Sequence, residues 1–345
     1  MGLGSLDIDL PEVVPGRRTT GRRLELAWRL TDRRNPLTAR VWVNRLWHQH
    51  FGMGLVATLG DFGVLGERPS HPELLDWLAA DFMDHGWKNK RLHRLIVTST
   101  AYRQGTGNPA AQRKDPDNRL LGRHRLRRLD AESLRDSLLA VSGRLDPTPF
   151  GPPVPVAVNA QGQFVVGVQK RDGNGDAVGV EPGGTADFRR SVYVKVRRST
   201  PVGVLETFDA PVVNPNCEAR PVSTSAPQSL MFLNDGFVLD RSLDLARRLR
   251  REAPGDERAQ VGRLWRLLFA AAPKPADVDR SLRFLADLRA GWTSPGDVTG
   301  SPASQPPPKD SKPKAGDAPA VPPDERALAA LCQVLLGSNR FLYLD

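Results

Sequence analysis

Residues 39–55 read ARVWVNRLWHQHFGMGL. Asn44, His48 and His50 are the groups in this stretch that can do chemistry, and His-x-His chelates a metal when both rings share a face. A strand would place them so. On a helix from Leu37, Val41, Asn44, His48 and Phe51 fall within about 40° of Leu37, while His50 lies about 160° from His48. One ion then cannot take both rings. Asn44 and His48 are expected one turn apart in an inward stripe, where buried polar groups need partners. They read first as a core network that fixes how helices dock. The alternative is a site wall in which His48, Asp61 and His71 converge, since two histidines and a carboxylate can hold a metal that activates water. Nothing in the spacing requires that ion, so these three stand as catalytic candidates with no metal and no cofactor assigned.

Arg128, Glu132, Arg135 and Asp136 gather at another helix start. Their spacing predicts a salt-bridged face before a catalytic set; with Asn44 and Arg45 they form the candidate binding residues. DGNGD at 172–176 begins like a calcium loop but lacks the sixth-position Gly and twelfth-position Glu, so a surface turn is expected. GVLGERPSHP has no Lys-Ser/Thr ending, which excludes a phosphate loop. No G-x-S-x-G, H-E-x-x-H or dinucleotide fingerprint occurs. Ser223, Thr224 and Ser225 read as caps for the helix that follows.

Those side chains need elements to hold them. Helices are expected over 22–31, from Pro36 with Asn35 as N-cap, from Ser70 with Glu73 in a capping box, and over 88–101. Residues 52–69 form a Gly-rich loop. Leu74, Leu75, Leu78 and Phe82 give one helix its apolar face, ended by Gly86; Leu92, Leu95, Ile96 and Ser99 face inward on the next. Asp130 caps a further helix that stops at Gly143. The reading is a mainly α protein: an extended lead-in over 1–21, an N-terminal helical bundle over 22–143, an irregular short-strand segment over 144–210, and a C-terminal helical part over 211–345. RRSVYVKVRR is the best strand candidate. Later helices are expected at 226–250, 257–270, 275–290 and 324–337. Residues 293–323 hold nine prolines and almost no large apolar group, which predicts a disordered insertion.

The totals set limits. Of the 345 residues, 49 are basic and 39 acidic, for a net charge of +10. The bases are mostly arginine and are interspersed with acids, so composition explains the charge better than an anionic partner does. Two cysteines, Cys217 and Cys332, exclude a disulfide framework. No stretch is apolar enough to span a membrane, and the N-terminus does not read as a signal peptide.

The block NPLTARVWVNRLWHQHFGMGLVATLGDFGVLGERPSHPELLDWLAADFMDHGWKNKRLHRLIVTSTAYRQ resembles the planctomycete PSD-one domain family. RRLDAESLRDSLLAVSGRLD, RRSVYVKVRR, LETFDAP, VSTSAPQSLMFLND and LLGSNRFLYLD fit in the same order. The likeness spans roughly 35–345 apart from the Pro-rich insertion. Gly236 stands where the family leads one to expect proline, and GWKNKRLH replaces a more apolar link. The resemblance implies the C-terminal part of larger exported proteins with a c-type cytochrome domain upstream; this chain has no haem-binding Cys pair. It implies no catalytic residue, and the compartment stays open. The leading expectation is therefore a non-catalytic binding or assembly module with a protein or cytochrome-type domain as partner, or an anionic polymer. The rivals are a metal-assisted hydrolase of an extracellular polysaccharide and, least favoured, nucleic-acid binding through the Arg-rich segment 119–128.

Overall fold

Asn35 shows how the first helices are set. Its side-chain oxygen accepts the Leu37 and Thr38 N–H groups at 2.9 and 3.4 Å, but the expected N-cap role is not filled: the helix begins two residues after Pro36, with Leu37 at its N-cap and no side-chain cap. A computed structural model describes residues 19–159, 162–197, 201–211, 219–293 and 321–344. They contain thirteen α-helices and small two-stranded sheets, a mainly α fold. The extended lead-in and the Pro-rich stretch fall almost entirely outside the described residues.

The chain divides into two units, one up to Arg127 and one from Arg128 to Leu344. The first holds α1 (Arg22–Thr31), α2 (Thr38–Phe51), α3 (Pro72–Asp84), α4 (Asn89–Val97) and α5 (Pro109–Lys114). Its core joins Val43, Trp47 and Phe51 of α2 to Leu75, Leu78 and Phe82 of α3 and Leu92 and Ile96 of α4. Gly86 follows α3 at φ 71°, a left-handed conformation that only glycine adopts without cost. The expected capping box at Ser70 is absent. His71 is the N-cap of α3 and makes no side-chain cap, because the Ser70 hydroxyl engages the Leu55 carbonyl at 3.2 Å and His71 Nδ1 at 3.0 Å.

The second unit begins with α6 (Ala131–Ser142), capped by Asp130 through the Ser133 N–H at 2.8 Å and ended by Gly143. This helix packs in the second unit instead of closing the N-terminal bundle. Two antiparallel hairpins follow, β1 (Val156–Val158) with β2 (Phe164–Val166) and β3 (Val168–Arg171) with β4 (Ala177–Glu181). DGNGD is the turn between β3 and β4, where Asp172 accepts the Asn174 and Asp176 N–H groups. RRSVYVKVRR is no strand. Ser191–Tyr193 form a 3₁₀ turn, Val192 and Val196 are exposed, and the segment makes isolated bridges alone, Arg189 to Asp146 and Val194 to Val154. Alternation was misleading there because no neighbouring strand lies alongside to complete a ladder.

The helical remainder is α7 (Gly203–Thr207), α8 (Ala226–Asn234), α9 (Gly236–Glu252), α10 (Glu257–Phe269), α11 (Pro275–Thr293), α12 (Pro323–Leu336) and α13 (Asn339–Leu342). The single helix expected over 226–250 is broken at Asp235, which ends α8 and caps α9 through the Phe237 N–H at 2.9 Å. Gly236 takes the first helical position, a place proline also suits. Leu134 and Leu138 of α6 join Leu245 and Leu249 of α9, Leu264 of α10, Leu285 of α11, and Leu328 and Cys332 of α12 in one core. Cys332 is a free thiol, fully enclosed, and burial raises its pKa far above the ordinary value. Cys217 lies outside the described residues.

Candidate functional site

Helix α2 buries Ala39, Val43, Asn44, Leu46, Trp47 and Phe51. That arc is centred about 100° round the helix from the stripe expected at Leu37, Asn44 and His48. Leu46 and Trp47 offer more apolar surface than Val41 and His48, and their burial sets the rotation. His48 therefore sits half-buried at the rim of the arc. Burial, then the Arg127 charge, lowers its pKa. His50 is the ring that finds a partner: its Nε2 lies 2.8 Å from His93 Nδ1, so one ring must donate and the other accept. Tyr102 packs edge-on against His50, Phe51 and His124. Burial lowers the His50 pKa, helped by His93 and Arg127.

Asn44 is wholly buried, and its amide exchanges two 2.9 Å hydrogen bonds with the Val56 carbonyl and N–H. It pins the Gly-rich loop to α2. A side chain on Gly54 would meet that amide at 2.8 Å, so glycine is required for the approach. Asp61 ties the same loop to itself: its carboxylate accepts the Gly63 N–H at 2.7 Å, and its carbonyl accepts the Thr58 hydroxyl at 2.8 Å. Arg45 points outward, exposed. His48, Asp61 and His71 are not grouped to hold a metal ion. Among the described residues no three His, Cys, Asp or Glu side chains are grouped to hold a metal ion.

His71 instead lines a cavity of about 310 Å³ in the first unit. Trp47, Phe51 and Leu55 line its apolar side, with Ser70, Arg68 and Arg119 among its polar groups. The Arg-rich segment beside it is mostly committed to carbonyls. Arg123 donates to the Pro116 carbonyl at 2.5 Å and Arg125 to that of Asp117. Arg127 donates to the Gln49 and His50 carbonyls at the end of α2, where a cation also offsets the helix dipole.

Arg128, Glu132, Arg135 and Asp136 all make ion pairs, to Asp209, Arg220, Asp136 and Arg190 in turn, and together they fasten two pieces of irregular chain. Arg128 donates to the Ser223 carbonyl at 2.6 Å, the Phe208 carbonyl at 3.1 Å and Asp209 at 2.7 Å. Burial would raise the Asp209 pKa, but the Ser223 and Arg128 hydrogen bonds outweigh it and hold the carboxyl low. Arg135 is 1% exposed. It donates to the Asp187 and Arg189 carbonyls at 2.7 and 3.0 Å and to the Ser191 hydroxyl at 3.2 Å. Burial pushes its pKa down to about 10, which leaves it charged at neutral pH. Asp136 accepts the Ser191 N–H and hydroxyl, both at 2.7 Å, and Glu132 pairs with Arg220 at 2.6 Å.

A second cavity, of about 700 Å³, lies in this unit between the first hairpin, α8 and α9. Asp235 and Asp240 line it, and burial raises both carboxyl pKa values. Sequence reasoning missed both cavities, along with Arg189, a buried side chain that donates to the Pro152 carbonyl at 2.9 Å. An isolated arginine among loops carries no periodic signal that would single it out.

No helix among the described residues is long and apolar enough to cross a membrane. No curated protein and no solved structure matches the chain. The family model for PSD1, described as a protein of unknown function (DUF1553), matches residues 22–285. With most of its length covered, the chain belongs to the PSD1 (DUF1553) family.

Proposed function

We propose that the chain is a non-catalytic binding module whose first unit presents α1 to a protein partner. The observation that carries this reading is that α1 buries none of its ten residues. Leu24 and Trp28, 54% and 62% exposed, occupy one flank. Leu26 and Leu30, also exposed, occupy the other, roughly 160° away. The Glu25–Arg29 ion pair lies between them. A helix this short is marginal in water without tertiary burial, and so much apolar surface on one element suits an interface better than solvent. Trp42 and Trp77, both exposed, add apolar surface to the same unit, whereas Trp47 is core.

The partner favoured by the resemblance to cytochrome-containing proteins is a cytochrome-type domain. Calorimetric titration of the full chain with such a domain tests it. Saturable binding that Trp28→Ala with Leu26→Glu abolishes is the expected result; binding indifferent to both changes rejects the α1 interface. The hydrolase alternative would have to draw on something other than a His48–Asp61–His71 centre, and stoichiometric zinc or iron in purified protein would revive it. The nucleic-acid alternative would have to use arginines beyond Arg123, Arg125 and Arg127; DNA binding that falls steeply with salt would support it.

A further inference from the structure

We propose that the cavity of the first unit is a binding site for a small hydroxylated organic anion, held by Arg68 and Arg119. Most arginines near it are committed to carbonyls. Arg68 and Arg119 are exposed at the cavity and their guanidinium groups have no hydrogen-bond or ion-pair partner among the described residues. Two uncommitted guanidinium groups at one concave site suit a carboxylate, sulfate or phosphate, which each can grip with paired N–H donors. Arg125, which also lines the cavity, adds a third positive charge.

The backbone contributes from the same wall. Helix α3 spans thirteen residues and opens with His71 and Pro72, and His71 and Ser70 line the cavity. No side chain caps this helix, so its first N–H groups, those of Glu73 and Leu74, lack an intrahelical acceptor. The helix dipole at that end favours negative charge. Ser70 Oγ and His71 Nδ1 are 3.0 Å apart, which leaves His71 Nε2 as a further polar contact.

Two carboxylates, Glu67 and Asp117, also line the cavity. They repel a bare anion, but they accept hydrogen bonds, and hydroxyl groups on the ligand would supply the donors. The edges of Trp47, Phe51 and Leu55 give an apolar surface for the carbon skeleton. The acid group and the hydroxyls together define the ligand class: a sugar acid, or a sugar carrying a sulfate or phosphate ester.

The test is titration of the full chain with glucuronate, glucose 6-sulfate and glucose 6-phosphate, with glucose as the neutral control, followed by amide and imidazole NMR shifts. At least one anion is expected to saturate and to move the Glu73 and Leu74 amides and the His71 ring, while glucose does not. Arg68→Gln with Arg119→Gln is expected to weaken that binding by about tenfold or more. Arg251→Gln, at an exposed arginine of the second unit, is expected to leave it unchanged. Both guanidinium groups are solvent-exposed and partnerless, so the folded state should survive, and an unchanged amide spectrum elsewhere verifies this. Failure of all three anions to saturate, equal binding of glucose, or full affinity in the double Gln variant would each overturn the proposal.

Discussion

Arginine plays opposite parts in the two units. In the second, Arg128, Arg135 and Arg189 are buried, and each donates to carbonyls of irregular chain. In the first, Arg123, Arg125 and Arg127 also seek carbonyls, but Arg68 and Arg119 remain open at a cavity. A net charge of +10 therefore says little about partners until each guanidinium is located. Buried, it substitutes for the backbone pairing that loops lack; exposed beside a concavity, it can serve a ligand.

The contrast breaks most sharply at Arg135. Arg135→Ala should strip donors from the Asp187 and Arg189 carbonyls and the Ser191 hydroxyl, and should destabilise the second unit by about 3 kcal/mol or more, measured by urea unfolding. A loss under 1 kcal/mol would show that the guanidinium is not what holds that turn. In the first unit the matching role falls to Asn44. Asn44→Ala leaves the Val56 N–H and carbonyl unpaired and should cost about 2 kcal/mol, with amide exchange rising at Val56 before the helices open.

The His50–His93 pair sharpens the comparison through pH. The folded pKa values of His48 and His50 lie below the ordinary 6.5. The unfolded chain thus binds protons first as pH falls. First-unit stability should be intact above the ordinary histidine value, decline as pH drops below it, and level off once the folded rings are protonated too. His50→Gln should flatten that decline, and an unchanged slope would assign it to other groups. The smallest effect belongs to the proposed interface. Trp28→Ala should change stability by no more than about 0.5 kcal/mol, since Trp28 is not a core residue. A larger loss would show that α1 is a structural element of the first unit.

Legibility followed the physical signal. Helices announced by caps and apolar spacing were readable: α1 begins and ends at the expected residues 22 and 31, and Asp130 and Gly143 bound α6. The orientation of α2 was not readable, because its sequence offers apolar residues over most of its circumference and packing against α3 and α4 chose the face. The break at Asp235 was also hidden, since an aspartate serves a helix end and a helix start equally well. Asn44 stood out as a polar residue in an apolar stripe and Arg135 as one of a charged group at a helix start, but only coordinates revealed their acceptors, which lie in loops 12 and about 50 residues away. His48, Asp61 and His71 are not grouped to hold a metal ion, and the sequence could not have told, because proximity between a helix, a loop and a helix start is a tertiary property that spacing does not encode.

The enclosed thiol of Cys332 offers a clock. Sealed between α9 and α12 residues and held protonated, it is inert to alkylating reagents while the second unit stays shut, since the thiolate is the reactive form. With Cys217 replaced by serine, the rate at which a thiol dye attaches would count the openings of that helical layer, molecule by molecule. Ageing, oxidants and partners could then be compared on one timescale, without touching any surface proposed to bind.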